Sequence, residues 1–316
     1  MAAASLGLAS IFVRQLDDAG LSPASLAFFR YAFTAMVLLP FVNLSPRLRL
    51  STLWGLLGGA VLGIGWVSYA HTLSRIDLGT NGVAYMTFPI FSLAASRVVF
   101  GRPIDRRALA GAALVVAAAT FALQPGSAPG ITPVLLLAPA AFGFSISILT
   151  ERLGPLDPFE RLSAVALGAS AGLAPVVLSL PAGEVLPSTL PNWGWLIGLG
   201  VVCGLVPMWI YGAAAPRVGG ARTSAAGAIE LPTMFVVGLV VFGEEIRFEH
   251  VVAGALIMMS IIITPVVSPC AKADRIEHRS PTLDALVVGQ VRDSPHRLAD
   301  HLDRSDGDPT TVDWPI

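Results

Sequence analysis

With 54% hydrophobic and only 13% charged side chains over 316 residues, and a mean hydropathy of +0.71, the chain falls outside the soluble globular class, where about a quarter of residues carry charge. It reads as an all-α integral membrane protein with the lipid bilayer as its main partner. The net charge of −1 offers no basic stripe for nucleic acid.

Ten apolar segments follow in chain order, near Ala2–Leu16, Ala24–Leu44, Thr52–Leu73, Gly82–Phe100, Ala108–Leu123, Ile131–Thr150, Leu162–Leu180, Trp193–Ala214, Ala225–Phe242 and Val251–Val267. Roughly 20 residues are needed to cross a ~30 Å hydrocarbon core. The uncharged, turn-rich link Gln124–Gly130 cannot continue a helix and divides the segments five and five. The expected organisation is therefore ten transmembrane helices as two five-helix repeats, 1–123 and 131–267, with a polar, disordered cytoplasmic tail over 268–316. The first segment is short beside its counterpart at Ile131, so the true start is expected upstream.

The halves share a layout. Each opens on a polar lip, Gly79-Thr80-Asn81 or Arg222-Thr223-Ser224, and carries an in-helix proline, Pro89 or Pro232, read as a helix kink. Each then reads Val-Val-Phe-Gly, at Val98–Gly101 and Val240–Gly243, and resumes at Ala110-Gly111-Ala112 or Ala253-Gly254-Ala255. An odd number of spans per half makes the repeats inverted with respect to each other, the arrangement of many transporters.

Arginine sets the orientation. With the amino terminus inside, inner loops hold nine arginines (47, 49, 102, 106, 107, 152, 161, 217 and 222) and outer loops three, Arg14, Arg75 and Arg247, which makes both termini cytoplasmic. Nineteen arginines against one lysine, Lys272, suggest a GC-rich bacterial genome, hence a bacterial inner membrane. Glycines at 55, 59 and 63, and at 194, 198, 200 and 204, are expected to let helices approach closely. Prolines at 139, 175 and 207 should leave carbonyls that face a cavity or a neighbouring helix. Cys203 and Cys270 make neither a disulfide framework nor a metal cluster, and His296 and His301 beside Asp300 and Asp303 are read as a solvated tail.

These features resemble the EamA-type branch of the drug/metabolite transporter superfamily over residues 1–267. The likeness rests on the proline-bearing fourth and ninth helices, Phe242-Gly243-Glu244, Ala253–Ala255, Arg30 in Phe28-Phe29-Arg30-Tyr31, and Glu230 near Pro232. Leu231 separates Glu230 from Pro232, and Arg102 stands where the first half of the family usually repeats the glutamate. The resemblance implies export of small metabolites, amino acids or related compounds and drugs, by alternating access; a flippase for lipid or lipid-linked sugar is the alternative. It implies no cofactor.

Counting ~1.5 Å per residue places Arg30, Trp66 and Tyr85 at a common outer level about 9 Å deep, and Glu230 about 10 Å above the inner surface. A direct Arg30–Glu230 salt bridge is disfavoured on that count. The four are the candidate substrate-binding residues. Glu230 is also the candidate proton-coupling residue, because a carboxylate at that depth loses hydration and favours its neutral form unless a cation lies nearby. An enzyme is not expected: Gly143-Phe-Ser-Ile-Ser147 lacks the closing glycine of a nucleophile elbow, and no His-Glu-x-x-His metal motif occurs.

Overall fold

A computed structural model describes Ser5 and residues 7–101, 103–104, 106–122, 132–210, 230–245 and 247–263, all within one compact unit, Met1–Val266. Arg102, Arg217, the lip Arg222–Ser224 and the tail with His296 and His301 lie outside the described residues.

Every regular element among the described residues is helical. In order these are α1 (Ala9–Asp18), α2 (Pro23–Leu38, continued by a 3-10 turn, Leu39–Phe41), α3 (Arg49–Leu73), α4 (Leu78–Tyr85), α5 (Phe88–Val98) and α6 (Arg106–Ala122). Then come α7 (Thr132–Glu151), α8 (Pro158–Leu178), the short α9 (Ala182–Val185), α10 (Leu190–Gly200, continued by a π-turn, Val201–Leu205), α11 (Glu230–Phe242) and α12 (Phe248–Ile263). Five segments are apolar and long enough to cross a membrane: Pro23–Phe41, Arg49–Leu73, Pro133–Glu151, Pro158–Leu178 and Leu190–Ile210. Large apolar side chains such as Met36, Leu57, Ile64, Val240 and Ile262 lie exposed on the outside, a surface suited to lipid and not to water.

Local chemistry explains the helix starts. Ser22 accepts from the Ser25 N–H at 3.2 Å with Pro23 following, and Asp77 accepts from the Thr80 N–H at 2.7 Å. At α8, Pro158 follows Asp157, whose N–H donates to the Glu160 carboxylate at 2.8 Å. Each supplies a partner to a backbone group that the helix itself leaves unpaired.

The fourth apolar segment corrects the single helix expected at Gly82–Phe100. It is two helices, α4 and α5, parted at Met86–Thr87, and the Gly79–Asn81 lip belongs to the first turns of α4. The cause is Pro89, which has no N–H to give the Tyr85 carbonyl. Thr87 fills in locally, its hydroxyl donating to the Ala84 carbonyl at 2.7 Å. Pro89 thus sits in the first turn of a new helix instead of kinking a continuous one. Pro232 lies in the first described turn of α11, while Pro139 and Pro175 are accommodated inside α7 and α8.

α3 packs against both α7 and α8, α2 against α8, α5 against α7, and α6 against α12. The α3–α8 contact is main chain on main chain. A Cβ on Gly59 would strike the Val165 carbonyl, and one on Gly168 the Leu56 carbonyl, so small residues here set the interhelical distance. Hydroxyls tie further pairs: Ser260 donates to the Gly111 carbonyl at 2.9 Å, and Ser147 to the Ser92 carbonyl at 3.0 Å. The two Val-Val-Phe-Gly runs end alike, with Gly101 at φ 66° and Gly243 at φ 65°, a left-handed conformation that only glycine adopts without strain.

Candidate functional site

A cavity of about 200 Å³ lies among α2, α3, α4, α7, α8, α10 and α11. Its apolar wall comes from Leu62, Trp66 and Tyr69 on α3, Tyr85 at the end of α4, Phe142 on α7 and Leu162 on α8, with Pro207 and Met208 just beyond the π-turn. The rings form a connected run: Trp66 to Tyr69 at 5.6 Å between centroids, Tyr69 to Tyr85 at 5.0 Å, and Tyr85 to Phe142 at 4.8 Å edge to face. Arg30 of α2 and Glu230 of α11 bring the charged groups.

Arg30 is held from two sides. Its Nε and one terminal nitrogen both donate to the Cys203 carbonyl, at 3.0 and 2.7 Å, and the guanidinium lies 4.0 Å over the Trp66 ring. That carbonyl is open because its i+4 residue is Pro207, which carries no N–H. The π-turn at Val201–Leu205 widens the helix at the same place, and Gly204 lets the turn rest on α2: a Cβ there would lie 3.0 Å from the Arg30 carbonyl and 3.2 Å from its Cγ. The expected unpaired carbonyl therefore faces a neighbouring helix, and Arg30 fills it.

Glu230 is 8% exposed, and among the described residues its carboxyl has neither hydrogen bond nor ion pair. All four candidate residues, Arg30, Trp66, Tyr85 and Glu230, line this one cavity. The cavity thus takes in residues that counting along the helices assigned to two levels. Pro89 and Pro232 do not line the cavity.

Sequence reasoning missed Tyr31, Tyr69, Phe142, Leu162, Met208 and the Cys203 carbonyl. Tyr69 stood on the Trp66 face three residues on, which could have found it. The Cys203 carbonyl had Pro207 as its only signal. A fixed cation and a buried carboxyl on an aromatic wall can together hold a small molecule that carries opposite charges and an apolar body.

A multi-helix membrane protein with an internal, charge-bearing cavity is the class these observations define. Residues 1–124 match the EamA-like transporter family. An uncharacterized transporter of Archaeoglobus fulgidus is 24% identical over 264 residues, which cover 83% of this chain and 93% of that one. A probable 4-amino-4-deoxy-L-arabinose-phosphoundecaprenol flippase subunit, ArnE, of Pseudomonas aeruginosa is 40% identical over 70 residues, covering 22% of this chain and 60% of that protein. A solved crystal structure aligns with a TM-score of 0.50 at 18% identity, over 83% of this chain and 96% of that one, a likeness of fold alone.

Proposed function

We propose that the chain is a bacterial inner-membrane exporter of small metabolites, amino acids or related compounds foremost and drugs second. In this reading it works by alternating access between two inverted five-helix halves, 1–123 and 131–267, with both termini in the cytoplasm. The observation that carries the reading is the cavity itself: Arg30 and Glu230 share an aromatic-walled space. Arg30 offers a planar donor fork for a cargo carboxylate. Glu230 serves the cargo's ammonium group or carries a proton in exchange, the Asp/Glu relay common to proton-driven transporters. The match of residues 1–124 to a transporter family supports transport over catalysis, and no reacting residue is assigned.

The experiment is a panel of toxic amino-acid analogues and drugs given to cells with and without the protein. Resistance confined to compounds bearing a carboxylate supports the reading, and no resistance to any of them overturns it. The second reading, a flippase for a lipid-linked sugar, is favoured by the 70-residue likeness to the ArnE subunit. It predicts protein-dependent transfer of a fluorescent polyprenyl-phosphate sugar across proteoliposomes, with the analogue panel blank.

A further inference from the structure

We propose that α4 is a hinged gate over the outer end of the cavity, and that Glu244 is the pin that latches it shut. The proposal rests on the topology given above, which puts the start of α4 and the end of α11 on the outer side.

α4 is eight residues long and set apart from α5 by the break at Met86–Thr87. Its last residue, Tyr85, stands in the cavity wall. Its first turn is gripped by the second half of the chain at two places. In the first, one oxygen of Glu244 accepts from the Leu78 N–H at 2.8 Å while the other takes a terminal nitrogen of Arg14 at 2.6 Å. Arg14 also donates to the Leu73 and Ile76 carbonyls at 2.8 and 3.0 Å, and its guanidinium lies 4.1 Å over Phe242. A single carboxylate so joins α1, the first residue of α4 and the end of α11. It is aimed by the left-handed Gly243 before it and by its own N–H, which donates to the Gly238 carbonyl at 2.9 Å.

In the second place, Asp77, the cap of α4, meets Arg247 at 3.1 Å and His250 at 3.3 Å, and His250 also meets the Thr80 hydroxyl at 3.1 Å. The imidazole is 2% exposed and lies flat enough on α4 that a Cβ at Gly79 would come within 2.5 Å of it. Side chains fastened at a helix's N-terminus, with a break at its C-terminus, let the segment move as one stiff unit once the fastening opens and the contacts along it yield, Gly82 on Leu231 and Met234 and the Thr72 hydroxyl donating to Asn81 at 2.9 Å. Swinging α4 about that break turns the Tyr85 ring, which stands beside the hinge in the cavity wall, so the latch and the binding space are one mechanical unit. Half-helices that end at a central site are a recurrent means of gating in transporters, and charge-assisted contacts suit a closure that must be both firm and reversible.

The test uses the full chain in cells, with Cys203→Ala and Cys270→Ser removing native thiols and Leu62→Cys placing a reporter in the cavity. A membrane-impermeant maleimide applied outside reads the opening. Glu244→Gln should raise the labelling rate roughly tenfold, the weight of one charge-assisted hydrogen bond, whereas Arg75→Ala, an outer arginine whose side chain donates to His71 and Ser74, should leave it unchanged. Equal labelling of Glu244→Gln and its parent overturns the proposal. If Glu244→Gln is poorly produced, Asp77→Asn opens the second grip and is read in the same way. A rise seen only when the maleimide reaches the cytoplasmic side, in inverted vesicles, overturns the assigned orientation and not the latch.

Discussion

Arg30 occupies the place where a cation is hardest to keep, and its two supports show how it is kept. The Cys203 carbonyl takes two donors and the Trp66 face takes the charge, so the guanidinium is fixed before any cargo arrives. Arg30→Lys retains the charge but cannot give two parallel donors or lie flat on the ring; transport of carboxylate-bearing cargo should fall by roughly tenfold or more. Unchanged transport at equal protein level would remove Arg30 from cargo binding. Pro207→Ala restores an N–H that can close a helical bond to the Cys203 carbonyl and so competes with Arg30. The expected outcome is a raised KM with protein level and maximal rate retained, measured on any cargo the panel identifies. Glu230→Gln fixes the carboxyl in its uncharged form. Inverted vesicles should then accumulate cargo to the same level with and without an imposed pH gradient, and a variant that still responds to the gradient as the parent does would leave Glu230 a structural group.

At the scale of elements, the clamp at the start of α4 is sensitive to acid. Burial holds the His250 imidazole below its ordinary 6.5, with Arg247 adding to the effect and Asp77, Glu249 and Glu244 opposing it. The imidazole is therefore neutral near pH 7, and its contact with Asp77 is a hydrogen bond more than an ion pair. Burial also pushes Asp77 up, but hydrogen bonds from Thr80, with His250 and Arg247 nearby, outweigh it and hold the carboxyl below its usual 3.8. Both groups bind protons less readily in the folded protein than in the unfolded chain. Their contribution is complete above about pH 6.5 and is lost as pH falls, His250 first and Asp77 later. Thermal unfolding of the purified protein should drop between pH 7.5 and 5.5, and His250→Gln should flatten that drop; an equal slope in the variant would refute the assignment.

The element boundaries show what a sequence can and cannot disclose. α2, α3, α7 and α8 could be read directly, because long apolar runs bounded by Ser22, Pro133, Asp157 and Pro158 leave little choice. The break in the fourth segment was only half legible. Pro89 announced a disturbance, but whether a helix bends or stops depends on who satisfies the Tyr85 carbonyl and on the Thr87 hydroxyl beside it. The cavity was legible in both its charged members, Arg30 and Glu230, and in Trp66 and Tyr85, since such residues rarely stand in apolar segments without a task. That they would share one space was not, because which faces of distant helices meet is a property of packing. Nor could a search among side chains find the Cys203 carbonyl, which is a main-chain group.

For the whole molecule, the proposed topology makes the sharpest demand. A reporter fused after Ala128 should appear outside the cell and one fused after Lys272 inside; the reverse at either position would dismantle the ten-helix reading and the outward placement of the α4 gate with it.

The bond between Arg30 and the Cys203 carbonyl, 173 residues apart in sequence, has a bearing on biogenesis as well. A chain delivered to the bilayer from its amino terminus presents Arg30 long before α10 emerges. Until then the guanidinium has the Tyr31 and Trp66 rings to lean on, and α10, when it comes, brings a carbonyl that lipid cannot satisfy. Each of the two helices is a poor tenant of the bilayer alone, and the same contact relieves both. Docking of α10 on α2 thus pairs both groups in one step, and a chain that misses it is left with two unpaired polar groups in the bilayer.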